Sequence, residues 1–77
     1  MIIGTLLSSP VETDLKITAI DGEKNLNVKL RQYGLFIGDQ VRVLRHARLG
    51  GPVLIEANGR EIALGRGIAG KISVEAV

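Results

Sequence analysis

The chain has 77 residues, and its ten Lys and Arg against eight Asp and Glu give a net charge of +2. Its length predicts one domain, residues 1–77, with a thin core, because a domain of this size buries only about 60% of the surface that its unfolded chain exposes. The absence of cysteine excludes a disulfide framework and a thiolate zinc site, and the mild positive charge lacks the dense basic footprint of a dedicated nucleic-acid binder.

The first half of the chain is predicted to contain two strands and one helix. In chain order these are a strand over Ile2–Leu7, a strand over Lys16–Ile20 and a helix over Glu23–Tyr33. The second strand is rich in β-branched residues and ends at the turn signal Asp21-Gly22. The helix is indicated by Leu26, Leu30 and Tyr33, which recur at i, i+4 and i+7 and therefore share one helix face.

A glycine is predicted to end this helix. Gly34 can adopt a positive φ without a Cβ clash, which suits the residue that follows a helix C-cap. Leu35 and Leu30 then occupy the two positions whose side chains close a Schellman cap. A tight turn follows at Gly38-Asp39, where the hydrophobic period changes from 3.6 to 2. The best-specified segment of the chain thus specifies a shape rather than a reaction, which favours a binding module.

The second half of the chain is predicted to be a series of short strands. In chain order these are a strand that starts at Asp39, strands over Val53–Ala57 and Arg60–Leu64, and a last strand over Lys71–Val77. Asn58-Gly59 is a strong hairpin signal, because a type I′ turn needs positive φ at both central residues. Five or six short strands with one short helix predict a mostly β fold, an SH3-like small barrel that is closed or nearly closed.

Residues Gly65 to Gly70 match G-x-G-x-x-G letter for letter. The dinucleotide fingerprint requires a helix after the glycines, within a βαβ unit of about 30 residues. Only seven residues follow Gly70. We therefore interpret the match as chance and the segment as a turn that enters the last strand.

His46 is the only histidine of the chain. It has no second nitrogen or thiolate near it in sequence, so it is predicted to be a solvated residue at a strand end. Asp14, Asp21 and Glu23 lack the spacing of a calcium loop and are interpreted as turn and helix-start residues. We predict no metal site and no cofactor from these residues.

Arg42, Arg45 and Arg48 form the densest basic patch of the sequence. On a regular strand Arg42 and Arg48 share one face, and Arg45 faces the opposite way. Nucleic-acid binding favours aromatic platforms between the basic residues, whereas the chain has one Tyr and one Phe. Three interpretations stay open: a solvated surface, a surface for an acidic protein partner, and a nucleic-acid site.

Leu35-Phe36-Ile37 forms a hydrophobic tip between the helix and the next strand. Leu35 is predicted to belong to the core. Phe36 and Ile37 are adjacent and do not easily bury on one side, so they either form an exposed contact site or fold over an open end of the barrel. The candidate partner-binding surface comprises Tyr33, Phe36 and Ile37 beside Arg45 and Arg48.

The ingredients of catalysis are missing from the sequence. Cysteine is absent, serine occurs only at positions 8, 9 and 73, and the sole histidine has no evident orienting carboxylate. No apolar run approaches the roughly 18 residues that a membrane span needs, and no basic region precedes the apolar N-terminal residues. We expect a soluble, cytoplasmic protein that is not an enzyme and does not insert into a membrane.

The order and spacing of these motifs resemble the FeoA family from about Asp14 to the end of the chain. The matching residues are Ile17-x-x-Ile20, Leu26…Leu30-x-x-x-Gly34-Leu35-x-x-Gly38-x-x-Val41-x-Val43, Gly51-Pro52-Val53, Gly59-x-x-Ile62-Ala63-Leu64, Ala69 and Ile72-x-Val74. The sequence departs from the usual pattern at Ile37, where a proline often precedes the second turn glycine. This change adds apolar surface to the tip.

The resemblance implies an SH3-like barrel that serves bacterial ferrous iron transport as an accessory, regulatory protein. It also implies a partner, the large membrane transporter with a GTPase domain, and therefore a position at the inner membrane through that partner. It implies no catalytic, metal-binding or cofactor-binding residues. The alternatives are a small barrel that binds nucleic acid, and a metal-responsive domain related to the C-terminal domain of metal-dependent repressors. A weak homo-oligomer is also compatible with the sequence.

Overall fold

Six antiparallel strands form one sheet around an aliphatic core in the computed structural model, which describes residues 3–77. The elements in chain order are β1 (Ile3–Thr5), a 3₁₀ helix (Leu6–Ser8), β2 (Asp14–Ile20), α1 (Lys24–Gln32), β3 (Gln40–His46), β4 (Val53–Ala57), β5 (Arg60–Leu64), α2 (Arg66–Ala69) and β6 (Ile72–Ala76). The predicted mostly β architecture of five or six short strands is confirmed.

The strand order in the sheet is β1-β6-β2-β3-β4-β5, so β1 and β5 are its edges and the sheet is open between them. The register shifts between Ile17 and Ala19 in β2 and between Val43 and Arg45 in β3. Bulges of this kind bend a strand and increase its twist, and they let six short strands curl over a common core. Among the residues described, no hydrogen-bonded ladder joins the two edge strands, so of the predicted closed or nearly closed barrel the fully closed form is excluded.

The core is built from the inward-facing residues of the alternating strands. Strand β3 buries Val41 and Val43, and the α1 residue Leu30 is also fully buried. The other strands contribute Leu15, Ile17, Val53, Ile55, Ala57, Ile62, Leu64, Ile72 and Val74 to the same cluster. The predicted alternation of the second half of the chain is thus confirmed, and the helix closes one side of the core.

The beginning of the chain differs from its prediction as a strand over Ile2–Leu7, of which Ile2 lies outside the described residues. Strand β1 ends at Thr5, and the chain then turns into the 3₁₀ helix, where Leu6 is fully buried. The hydroxyl of Ser8 accepts a hydrogen bond from the Thr5 backbone N–H at 3.1 Å. A local side-chain acceptor of this kind competes with a strand ladder, which accounts for the early end of β1.

A second short helix, α2, occupies the glycine-rich segment that the sequence predicts to be a turn. Gly65 is its N-cap and Gly70 its C-cap, and Ala69 between them is buried against the core. The motif therefore encloses a single helical turn that leads into β6, not a phosphate-binding loop between a strand and a long helix. Across residues 3–77, no helix combines the length and the apolar character that crossing a bilayer requires.

Candidate functional site

The end of α1 is fixed by the predicted Schellman cap. Gly34 has φ +77°, its N–H donates to Arg31 O at 2.9 Å, and the Leu35 N–H donates to Leu30 O at 2.9 Å. Leu30 and Leu35 are both buried, as the cap requires. The chain therefore leaves the helix in a defined direction, and this direction sets the position of the tip that follows.

The apolar tip, Phe36 and Ile37, lies on a hydrogen-bonded turn. The Asp39 N–H donates to Phe36 O at 3.0 Å, and the Phe36 N–H donates to a carboxylate oxygen of Asp39 at 3.0 Å. Gly38 has φ +97°, as the third residue of a type II turn requires, and its N–H donates to Ile17 O in β2 at 2.8 Å. The two hydrogen bonds between Phe36 and Asp39 close the turn, and the hydrogen bond from Gly38 attaches it to the sheet.

The side chains of the apolar tip point into solvent. Phe36 is 50% exposed and Ile37 is 61% exposed, whereas the neighbouring Leu35 is 1% exposed. Of the two interpretations that the sequence allows, burial over an open barrel end is excluded. The structure presents two adjacent, exposed apolar side chains on a hydrogen-bonded turn.

A shallow groove of about 240 Å³ runs between α1 and the apolar tip. Its lining consists of Ile20, Asn27, Arg31, Leu35, Phe36 and Ile37. Asn27 and Arg31 are four residues apart and therefore lie on one face of α1. The groove is suited to an apolar side chain of a partner, with the Arg31 guanidinium at its rim as a partner for a carboxylate. The spacing of Asn27 and Arg31 is visible in the sequence, but only the path of the tip shows what they face.

Tyr33 differs from the two tip residues in its surroundings. It is the C-cap residue of α1, its ring is partly buried against the core, and it does not line the groove. Its carbonyl oxygen accepts a hydrogen bond from an Arg60 guanidinium nitrogen at 2.8 Å. The expectation that Tyr33 is exposed together with the tip is thus only partly right, because the ring also packs inward.

Arg45 and Arg48 lie at the opposite end of β3 from the apolar tip. The strand begins at Gln40, directly after the tip turn, and ends at His46. A regular strand of this length spans about 20 Å. The structure thus places these two arginines apart from the apolar tip, beside a different groove that they line with His46 and Ala47.

Arg42 differs from the other two arginines because its guanidinium forms an ion pair. Its guanidinium donates two hydrogen bonds to one Asp14 carboxylate oxygen, at 2.8 and 3.0 Å. This hydrogen bond and the charge of Asp14 raise the pKa of Arg42 above its usual value, and Glu56 and Glu12 add to the effect. The three arginines therefore do not form one continuous cationic patch, and the bulge before Arg45 removes the regular spacing on which a shared face depends.

His46 is partly buried, which corrects its prediction as a solvated residue at a strand end. Its position at the end of β3 is as predicted, but its Nε2 lies 2.8 Å from the carbonyl oxygen of Ser9, a buried residue 37 positions earlier. The imidazole thus links the end of β3 to the segment after the 3₁₀ helix. Within residues 3–77, no group of three or more His, Cys, Asp and Glu side chains is arranged to hold a metal ion.

Comparisons with known proteins identify the family of the chain. The profile described as FeoA domain matches residues 5–76. The curated protein "Putative Fe(2+) transport protein A" of Methanocaldococcus jannaschii is 39% identical over 59 residues, which are 77% of this chain and 70% of that protein.

Solved structures show the same fold. A crystal structure of "Iron Uptake Regulatory Protein (FeoA)" is similar with a TM-score of 0.88 and 27% identity, covering all of both chains. The crystal structure of ScaR with bound Zn²⁺ also gives a TM-score of 0.88 with 27% identity, covering 96% of this chain and 37% of the ScaR chain. The likeness to FeoA confirms the predicted SH3-like fold. The chain belongs to the FeoA family of small proteins associated with Fe(2+) transport, which is not a known class of enzyme.

Proposed function

We propose that this protein is a cytoplasmic accessory protein that regulates ferrous iron transport by docking on the GTPase domain of a membrane transporter. The observation that carries the proposal is the apolar tip, an exposed Phe36 and Ile37 held on a hydrogen-bonded turn. Membership of the FeoA family and the relative described as an Fe(2+) transport protein support the transport role.

The geometry of the tip favours a protein partner. A rigid turn loses little conformational entropy on binding, so the burial of its side chains is not offset by a large ordering cost. Aromatic residues that fill a partner's pocket often dominate the binding energy of an interface, and Phe36 is the exposed aromatic residue of the tip. The groove beside it, with Arg31 at its rim, fits a partner segment that carries an apolar side chain next to an acidic one.

The docking site that we propose comprises Phe36, Ile37 and the adjoining groove, with Tyr33 as the residue that supports it from the helix C-cap. Arg45 and Arg48 lie some 20 Å away along β3 and belong to a different surface. We therefore do not assign them to the same contact.

The test is the double variant Phe36→Asp with Ile37→Asp, measured by co-purification with the isolated cytoplasmic domain of the transporter. Both side chains are exposed, so we expect the melting temperature to change little while co-purification is lost. The matched control is Val11→Asp with Val77→Asp, because these valines are 47% and 74% exposed and lie outside the tip. Full retention by a folded tip variant, or equal loss in the control, would reject the docking site.

A metal-responsive domain is the second candidate, and one observation favours it. The chain has the fold of a part of ScaR, a manganese-activated repressor whose structure has been determined with bound Zn²⁺. In this second candidate the domain would bind a metal ion or respond to one. A titration with metal ions distinguishes this function from docking on a transporter.

A further inference from the structure

The loop between β3 and β4, residues 47–52, contains a leucine whose exposure and backbone conformation do not contribute to the packing of the protein. Leu49 is fully exposed and has φ +57°, a left-handed conformation that non-glycine residues rarely adopt. Its neighbour Gly50 has φ +75°, and the Gly51 N–H donates to Arg48 O at 3.1 Å. Positive φ at both central residues with this hydrogen bond is the pattern of a type I′ turn.

The same protein contains a second turn of this pattern with the preferred residues. Asn58 and Gly59 join β4 to β5 with φ +53° and +77°. Asn-Gly is favoured there because asparagine tolerates the left-handed region far better than an aliphatic residue does. Leu49 therefore adopts an unfavourable backbone conformation, and its apolar side chain is fully exposed to water. A residue that is unfavourable by both criteria points to a contact outside the chain.

The surroundings of Leu49 are cationic. Arg45, Arg48 and Arg66 are all exposed, and the Arg66 side chain reaches the loop, with its Cδ 3.9 Å from the position that a Cβ on Gly50 would take. No Asp or Glu occurs in residues 43–55 or 62–70, the two segments that meet at this end of the sheet. Glu12 adjoins β3 through its N–H, at Val43 O, and its charge acts on Arg42.

We propose that this loop binds the surface of an anionic lipid bilayer, with Leu49 at the boundary of the acyl chains and the three arginines at headgroup phosphates. Cationic residues around an exposed aliphatic side chain are the arrangement by which proteins lie on such surfaces without spanning them. A nucleic acid would pair with the arginines, but it offers few contacts to an aliphatic side chain. Neither segment contains the Phe, Tyr or Trp on which bases usually stack. The exposed leucine therefore favours lipid over nucleic acid.

The decisive variant is Leu49→Asn, which converts the turn to the Asn-Gly type already present at residues 58–59. We expect an equal or higher melting temperature. Because the aliphatic side chain that would insert into the bilayer is lost, we expect roughly tenfold weaker binding to vesicles. The measurement is co-sedimentation with vesicles of phosphatidylglycerol and phosphatidylcholine, against vesicles of phosphatidylcholine alone. A stable variant with weaker binding separates the membrane role of Leu49 from any role in folding.

Charge is tested with Arg45→Gln combined with Arg48→Gln. At low salt this variant is expected to bind the anionic vesicles about 25-fold more weakly, since each arginine near such a surface contributes about fivefold. The matched control is Lys24→Gln combined with Lys29→Gln, which also removes two positive charges, from exposed side chains of α1 that do not line the groove, and it is expected to bind as the unchanged protein does.

The proposal is overturned if the protein does not bind anionic vesicles, if Leu49→Asn binds them undiminished, or if the double lysine control loses as much binding as the double arginine variant. It is also overturned if the loop variants bind vesicles as the unchanged protein does but no longer retard duplex DNA in a gel or no longer bind an acidic protein. The vesicles contain no transporter, so failure here leaves the docking of the apolar tip untouched, and failure of docking leaves this result untouched.

Discussion

Two glycines with the same backbone conformation lie in different surroundings. Gly34 and Gly59 both have φ +77°, but a Cβ on Gly34 would collide with the guanidinium of Arg60, whereas a Cβ on Gly59 would meet nothing within 4 Å. The Arg60 guanidinium is the group that donates to Tyr33 O at the end of α1. The close approach at Gly34 is therefore part of how the sheet holds the helix end.

Replacing each glycine by alanine should separate the two contributions. Gly59→Ala is expected to lower the free energy of unfolding by about 1–2 kcal/mol, the cost of a left-handed L-residue. Gly34→Ala should cost about 1 kcal/mol more, because Arg60 must move and its exposed hydrogen bond to Tyr33 O is lost. Urea unfolding of both variants measures the difference. Equal costs would show that Arg60 contributes nothing to the helix end.

At this scale the sequence predicts what is local. The cap formed by Leu30, Gly34 and Leu35 spans six residues, so its signals are neighbours in the sequence and predict it correctly. The partner of His46 is Ser9, which is 37 positions earlier, and no local pattern announces such a pair. The solvated histidine of the prediction is wrong for this reason.

The segment from α1 to β3 places a buried residue directly before an exposed one. Leu35 closes the cap and is 1% exposed, while Phe36, the next residue, is 50% exposed. Adjacent positions thus have opposite burial, because the chain turns sharply at Gly34 and Gly38.

We expect Leu35→Ala to lower the free energy of unfolding by about 2–4 kcal/mol, through lost burial and the cavity that remains. Phe36→Ala is expected to change it by no more than about 0.5 kcal/mol, as is usual for exposed positions away from special backbone features. Denaturant unfolding with identical buffers compares the two. A large loss for Phe36→Ala would mean that the ring supports the fold, and the case for Phe36 as a docking residue would weaken.

Element prediction succeeded where hydrophobic period and turn residues agree. Strands β3, β4 and β5 and the hairpin at Asn58-Gly59 follow directly from these signals. It failed where the structure depends on neighbours. Helix α2 is a single turn whose buried Ala69 packs against the core, and its glycines suggest only a loop. The separation of Arg45 from the apolar tip follows from the direction of β3 through the sheet, which residue spacing alone does not give.

The whole molecule presents two unlike surfaces at the two ends of β3. The apolar tip and its groove lie at one end, and the cationic loop with Leu49 lies at the other. A protein that lies on a bilayer through the loop would direct the tip away from the lipid, by roughly the 20 Å length of the strand. In this orientation the two proposals support each other, since the tip would reach toward the part of a transporter that extends from the membrane.

Metal binding would change the stability of the whole molecule. A metal that binds only the native state at one hundred times its Kd stabilises it by about 2.7 kcal/mol. For a domain of this size that free energy corresponds to a rise in melting temperature of roughly 10–20 °C. We expect Fe²⁺ under anaerobic conditions, and Zn²⁺, to shift the melting temperature no more than Mg²⁺ at equal concentration, because the imidazole of His46 is engaged with Ser9 and a docking protein needs no metal of its own. A rise of the calculated size that disappears in His46→Ala would contradict this expectation, and it would transfer the function from the docking protein to the metal-responsive domain.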